Sequence, residues 1–169
     1  MADRILHEIT PLMGKDALYI ADRRKKEFVY PIHNHEVYEL NFVENAAGVR
    51  RIVGDSSEII GNYDLVLITS PELEHVWEQN TCTSTDIREI TIQFQFGLDE
   101  CDSLFRKTPF LSIYNLLKEA QNGIAFPLPT IMKVYNLITT ISQIEDRFET
   151  IMQFLRILHI LSVEEGAHA

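Results

Sequence analysis

Short runs with the pattern of β-strands, either alternating between apolar and polar residues or continuously apolar, are separated by turn residues and fill the first hundred positions of the chain. The runs have the length of β-strands and cover residues 37–43, 49–53, 58–60, 65–69, 75–78 and 87–96. Many short strands with regularly spaced turns are typical of a β-barrel or a β-sandwich. Two further strands, 17–20 and 27–32, flank the charged residues 22–26, for which we expect a solvent-exposed hairpin tip.

The spacing of apolar residues becomes helical after residue 97, and helices are predicted over 109–122, 127–141 and 148–163. The third is apolar nearly all round, so it is buried in its own domain or meets another chain. Because it follows a small β-rich region, we favour a partner helix and expect a homodimer. The residues expected at the dimer interface are Phe148, Ile151, Phe154, Leu155, Leu158 and Leu161.

Composition and charge narrow the range of partners. An apolar fraction of 46% is enough for a core, and no apolar run approaches the roughly 18 residues that span a bilayer. The formal net charge is −10, and an acidic surface repels nucleic-acid phosphates, so this chain alone is a poor DNA binder. The start lacks a secretory signal, and Cys82 and Cys101 have no ligand-like spacing, so we expect a reduced, cytoplasmic protein.

The stretch from His33 to Asn41 carries the most distinctive chemistry. In a strand, side chains at even offsets share a face, so His33, His35 and Glu39 point one way together with Asn41. Imidazole and carboxylate groups suit Zn, Fe, Mn, Ni or Cu. A straight strand separates Glu39 from His35 by roughly 13 Å, too far for one metal. Co-ligation therefore needs a bend or bulge, or both histidines in the loop before the strand; His75 would then complete the set.

A polar barrel interior is the alternative to a metal site. Asn41 and Gln93 have the strand parity for a shared polar interior, and Trp77 offers a stacking surface for a small molecule. Gln93 fits the wet side of an edge strand equally well. The sequence has no GxSxG, no CxxC and no glycine-rich phosphate-binding loop, which argues against the common hydrolytic, thiol-redox and nucleotide-binding chemistries.

The pattern His33-x-His35-x-x-x-Glu39, followed by a hairpin, residues 64–68, Pro71 and His75, resembles the paired motifs of cupin barrels. More narrowly, the chain resembles the N-terminal domain of AraC-type transcriptional regulators. The resemblance implies an α+β chain: a cupin-type double-stranded β-helix, or jelly-roll barrel, at residues 1–100 that senses an effector, and a helical hairpin at 101–169 that dimerises the protein. The family's helix-turn-helix units would lie beyond residue 169, so DNA would be contacted only through that further domain.

Two functions follow from the resemblance. The first is an effector-sensing and dimerisation domain, not an enzyme, that binds a small polar molecule such as a sugar. Its ligand-binding residues would be His33, His35, Glu39, Asn41, His75, Trp77 and Gln93. The second is a metal-dependent cupin enzyme, an oxygenase or isomerase, whose metal polarises the substrate or activates oxygen. In metal-binding cupins the matching ligands of a divalent Zn, Fe, Mn or Ni ion are His33, His35, Glu39 and His75.

Overall fold

The computed structural model describes residues 5–8 and 17–164. The chain is mainly β-structure followed by three helices, which confirms the α+β class. The strands are β1 (Leu6–His7), β2 (Leu18–Lys25), β3 (His33–Asn34), β4 (Tyr38–Glu44), β5 (Arg50–Val53), β6 (Ser56–Ile59), β7 (Tyr63–Ile68), β8 (His75–Glu78), β9 (Ile87–Phe94) and β10 (Ile124–Ala125). The helices are α1 (Leu111–Glu119), α2 (Leu128–Thr140) and α3 (Arg147–Val163). In the described ranges, no helix is both long and apolar enough to cross a membrane.

The strands form two five-stranded sheets. Sheet 1 has the order β1-β3-β8-β5-β6, and sheet 2 has the order β10-β7-β4-β9-β2. All pairings are antiparallel except that of β1 with β3. Strand β10 comes from the helical half of the sequence and pairs with β7, Ile124 opposite Leu67. The region after residue 100 therefore supplies the edge strand of a sheet built mostly from the region before it.

Sheet 2 separates two hydrophobic cores, because successive side chains of a strand point to opposite faces. On one face, Leu40 and Ile92 belong to a core that also contains buried residues of all three helices. On the other face, Val43 and Ile68 pack in a core between the two sheets. Strands β4 and β9 alternate in polarity because their second face also borders the cavity, whereas residues 65–68 of β7 are apolar because both faces pack in a core.

The hairpin tip expected at residues 22–26 is wrong, because residues 22–25 belong to the long strand β2. All eight residues of β2 pair with β9. The charges are matched across the pair: Arg88 bonds to Asp22 at 2.7 Å, and Lys25 Nζ lies 2.6 Å from Glu89. Cross-strand pairs of opposite charge stabilise a sheet, so a charged sequence is compatible with a strand here.

Helix α3 packs mainly inside its own chain, which corrects half of the expected dimer interface. Phe154, Leu158 and Leu161 are at most 1% exposed and belong to the core between helices and sheet 2, so they cannot meet a partner. Phe148 is 64% exposed, and Ile151 and Leu155 are partly buried. An all-round apolar helix is typical of a core helix, and here α1, α2 and sheet 2 cover most of it.

Candidate functional site

A bend between the two sheets brings the histidines and the carboxylate of the HxHxxxE motif together. His33 lies in β3 of sheet 1, the chain bends at residues 36–37, and Glu39 lies in β4 of sheet 2. His35 Nε2 is therefore 3.2 Å from Glu39 Oε1, although a single straight strand would hold them far apart. Of the arrangements that the sequence left open, the structure has both histidines before the strand that carries Glu39.

His75 joins this group from the neighbouring strand. It lies at the start of β8, directly opposite His33 of β3. Its Nε2 is 3.1 Å from Nε2 of His35 and 3.5 Å from Glu39 Oε2. The three histidines offer ring nitrogens that all lie within 4.8 Å of one another. The structure thus brings together all four residues that the motif assigns to a metal.

Backbone hydrogen bonds fix the orientation of each of the three imidazoles. In each ring Nδ1 bonds to a carbonyl oxygen two positions away in the chain, at 2.8–2.9 Å: His33 to Pro31, His35 to Val37 and His75 to Leu73. A carbonyl only accepts hydrogen bonds, so each Nδ1 carries the proton. In the neutral ring, Nε2 then has a free lone pair, and this is the nitrogen that faces the other site residues.

Two such lone pairs cannot face each other at 3.1 Å unless a proton or a cation lies between or beside them. Burial would lower the pKa of His35, but its hydrogen bond to Glu39 and the charge of that carboxylate outweigh burial and raise it. Burial would raise the pKa of Glu39, but the hydrogen bonds from His35 and His75 lower it strongly. Burial and the neighbouring His75 lower the pKa of His33 to about 4. The group therefore favours one positive charge next to an ionised Glu39.

The same features fit a divalent metal ion. Three imidazole nitrogens and one carboxylate are ligands that Zn, Fe, Mn and Ni take in proteins. Histidines that bind metals characteristically donate their other ring N–H to a carbonyl or carboxylate, as all three Nδ1 atoms do here. The positive charge that the protonated group carries would be supplied by the ion instead. Donor type and orientation thus agree with a metal centre.

A cavity of about 170 Å³ lies against this group, between the two sheets. His33 and Glu39 line it, whereas His35 and His75 are at most 1% exposed and lie behind them. Asn41, Gln93 and Trp77 also line the cavity, and the indole N–H of Trp77 is already bonded to Asp64. All seven sequence-predicted ligand-binding residues therefore line this cavity or lie directly behind residues that line it.

Sequence reasoning missed a second polar group along the same wall. Lys25 bonds to Glu89 at 2.6 Å, Asn41 donates to Glu89 at 3.2 Å, and Thr91 donates to Asn41 at 2.7 Å. Glu89 and Thr91 share the strand parity of Gln93, which was a usable signal. Lys25 was not predicted as a site residue, because residues 22–26 were interpreted as a turn.

Glu8 is a further site residue without a local sequence signal. The short strand β1 pairs with β3 and places Glu8 Oε2 4.0 Å from His33 Nε2, at the edge of the cavity. Burial and the nearby Glu39 raise the pKa of Glu8, and it shares a hydrogen bond with Tyr30. Only the pairing of β1 with β3, 27 residues apart in sequence, brings this carboxylate to the site.

Comparisons with known proteins leave the family open. No protein-family profile and no curated protein matches the sequence. Among solved structures, apo ToxT from Vibrio cholerae aligns over 84% of this chain and 54% of its own, with 13% identity and a TM-score of 0.48. ToxT bound to (E)-4-(8-methylnaphthalen-1-yl)but-3-enoic acid aligns over 83% and 55%, with 12% identity and a TM-score of 0.48. The chain spans about half the length of ToxT, and TM-scores below 0.5 establish neither fold nor family.

Proposed function

We propose that this chain is the effector-sensing domain of an AraC-type transcriptional regulator, built on a cupin-type barrel. One observation carries the proposal: a cavity next to a buried three-histidine, one-carboxylate group lies on one face of sheet 2, and the helices pack on the other face. A ligand in the cavity touches strands whose alternate side chains contact the helices. Binding can therefore bias the helices, provided that it favours one of two arrangements.

The strands β2 and β9 make this connection most directly. Their cavity side carries Lys25 and Glu89, and their helix side carries Asp22 and Arg88. Arg88 donates to Asp22 and to the carbonyl oxygen of Thr139 at the end of α2, at 2.7 and 2.8 Å. A shift of either strand on ligand binding would therefore move hydrogen bonds that hold the end of α2.

The site would hold a divalent Zn, Fe, Mn or Ni ion through His33, His35, His75 and Glu39. The bound ion would supply a Lewis-acid site for an oxygen atom of the effector. The polar wall next to it suits a small polar molecule, such as a sugar or an organic acid. Trp77 contributes an apolar ring face to the same cavity.

Metal content tests the centre, and thermal stability tests the ligand. We expect stoichiometric metal in the purified protein and its loss in His75→Ala, whereas the control His159→Ala, at an exposed position of α3, keeps it. In a screen of sugars and organic acids, a true effector at a hundredfold excess over its Kd raises stability by about 2.7 kcal/mol. A metal-free wild type, or a His75→Ala variant that keeps its metal, would contradict the proposed centre.

The proposed homodimer must use the exposed side of α3. Phe148, Met152, Leu155, His159 and Val163 follow one another at intervals of four, three, four and four residues. Phe148, Met152 and Val163 are 39–64% exposed. Spacings of three and four residues form the seam that packs helices against each other in coiled coils, and a second copy of α3 offers the same seam.

Light scattering tests this interface. We expect a dimer for the wild type and a monomer for the double variant Met152→Glu/Leu155→Glu, since two buried carboxylates per chain would oppose association. Gln143→Glu adds a charge at an exposed position outside the seam and serves as the control. A dimer that survives the double change would exclude this face of α3 as the interface.

A metal-dependent cupin enzyme, an oxygenase or isomerase, is the second candidate. It is favoured by the contact of both His33 and Glu39 with the cavity, because a catalytic metal needs ligands that leave a position open to substrate. The two candidates differ in turnover. A metal-loaded protein that binds an effector and returns it unchanged supports the sensor, whereas conversion of the bound molecule supports the enzyme.

A further inference from the structure

Among the described residues that line the cavity, Gln93 has the one fully buried side-chain polar atom that lacks a hydrogen-bond partner. Its side chain lines the cavity, and the residue is only 3% exposed. Its Nε2 donates to Glu39 Oε1 at 3.4 Å, which leaves the amide oxygen Oε1 as a buried acceptor with no hydrogen bond. A buried acceptor without a partner is costly, so most native proteins satisfy such atoms.

The polar residues next to Gln93 on the sheet 2 side of the cavity already bond to one another. Thr91 donates to Asn41, Asn41 donates to Glu89, and Lys25 occupies the other carboxylate oxygen of Glu89. Strand β4 pairs with β9 so that Glu39 stands directly opposite Gln93. The unpaired acceptor therefore lies beside the carboxylate of the metal-binding group, not at the mouth of the cavity.

We infer that Gln93 selects the effector by accepting a hydrogen bond from it, and that the effector is a small α-hydroxycarboxylate. The inference rests on the proposed metal centre. Three neutral imidazoles and the carboxylate of Glu39 leave one charge of a divalent ion unbalanced by its four protein ligands, which favours an anionic oxygen of the effector as a further ligand. A hydroxyl on the next carbon then reaches Gln93 after a rotation of its terminal amide, which is a soft torsion.

Size and charge agree with this class of ligand. A cavity of about 170 Å³ resembles the roughly 150 Å³ that accommodates a benzene-sized molecule, so a few heavy atoms fill it. Of the two cationic side chains that line the cavity, Lys25 is paired with Glu89, and Arg23 is exposed to solvent. An α-oxo acid of the same size offers the metal the same oxygens but has no proton for Gln93.

L-Lactate and pyruvate form the pair of probes, because they differ only at C2, which carries a hydroxyl group in lactate and a ketone oxygen in pyruvate. Their affinities for the metal-loaded protein are measured by calorimetry. We expect lactate to bind about 10- to 100-fold more tightly, as for ligands that do or do not satisfy a buried polar group. Gln93→Met keeps the side-chain volume without an acceptor and should bring the ratio close to one. Gln95→Met, at an exposed position of the same segment, should retain the preference.

Each outcome decides between the two proposals. Absence of metal from the wild type refutes the proposed centre and the inference with it. A metal-loaded wild type that binds both acids equally, or neither, refutes the inference alone. A lactate preference that survives in Gln93→Met, or in the second apolar variant Gln93→Leu if the methionine variant loses its metal, shows that another residue selects the ligand.

Discussion

Replacing Phe154 by alanine measures how much of α3 belongs to the core of its own chain. The ring of Phe154 is fully buried and lies against Phe94, with ring centroids 4.8 Å apart, and near Phe96 at 6.1 Å. The substitution removes a whole aromatic side chain from between helix and sheet. Sheet 2 and the neighbouring helices cannot collapse far into the space, because both are fixed by other contacts in the same core.

The expected loss follows from this burial. Phenylalanine-to-alanine changes in well-packed cores cost about 3–5 kcal/mol, including roughly 0.5–1.5 kcal/mol for an aromatic pair such as that with Phe94. For a chain of 169 residues, each kcal/mol lowers Tm by about 2–4 °C, so the total is roughly 6–20 °C. The control is Phe148→Ala in the same helix: at 64% exposure it should change the stability of a single chain by less than about 0.5 kcal/mol.

Urea denaturation at several protein concentrations checks the prediction. If Phe154 packs within the chain, the free energy lost is the same at every concentration. A residue that acts mainly through a dimer gives a loss that depends on concentration, since association is then linked to folding. A loss below about 1 kcal/mol, or one that varies with concentration, would refute the assignment of Phe154 to the intrachain core.

Three further changes test other contacts. Arg51 bonds to Asp64 in the core between the sheets. In urea denaturation, Arg51→Met should lower the free energy of unfolding by about 3–5 kcal/mol, because it leaves a buried charge unpaired, and Arg51→Met/Asp64→Asn should lower it clearly less. Equal losses in the two variants would contradict a buried charge effect. The hydrogen bond from Arg88 lowers the pKa of Asp22, so Asp22→Asn should lower the free energy of unfolding by at most about 1 kcal/mol at pH 7. This loss should disappear as the pH falls below about 4 and Asp22 becomes protonated. A loss that does not change with pH would show that the ion pair with Arg88 does not stabilise the fold. Gly123 has φ +79° and ψ 139°, a backbone conformation that is strained for residues with a side chain. Gly123→Ala should therefore lower the free energy of unfolding by about 1–3 kcal/mol, and an unchanged Tm would contradict this prediction.

The local sequence pattern correctly predicted the strands that are packed on both of their faces. Residues of β4 and β9 alternate because one face packs on helices and the other on the second sheet or the cavity. Residues 22–25 failed because their charges are neutralised by β9, more than 60 positions away, and no local pattern reports that pairing. The dimer interface predicted on α3 was wrong in part, because a helix that is apolar all round does not reveal which neighbour covers each face.

The candidate site was predictable in its membership but not in its geometry. The motif and its resemblance to cupins named His33, His35, Glu39 and His75, and the structure brings these four together. The change of sheet at residues 36–37 was not predicted, because the sequence left open whether a bend in one strand or a loop before it brings the histidines to Glu39. Glu8 was missed because it reaches the site through β1, which follows no periodic pattern.

The central sheet also has a consequence for how such a chain can diversify. Side chains at odd-numbered positions of β4 and β9 point to the cavity or the opposite sheet, and those at even-numbered positions point to the helices. Substitutions at odd positions can therefore change the lining of the cavity without changing the packing of the helices. An insertion or deletion of a single residue within these strands would exchange the two sets and abolish both properties at once.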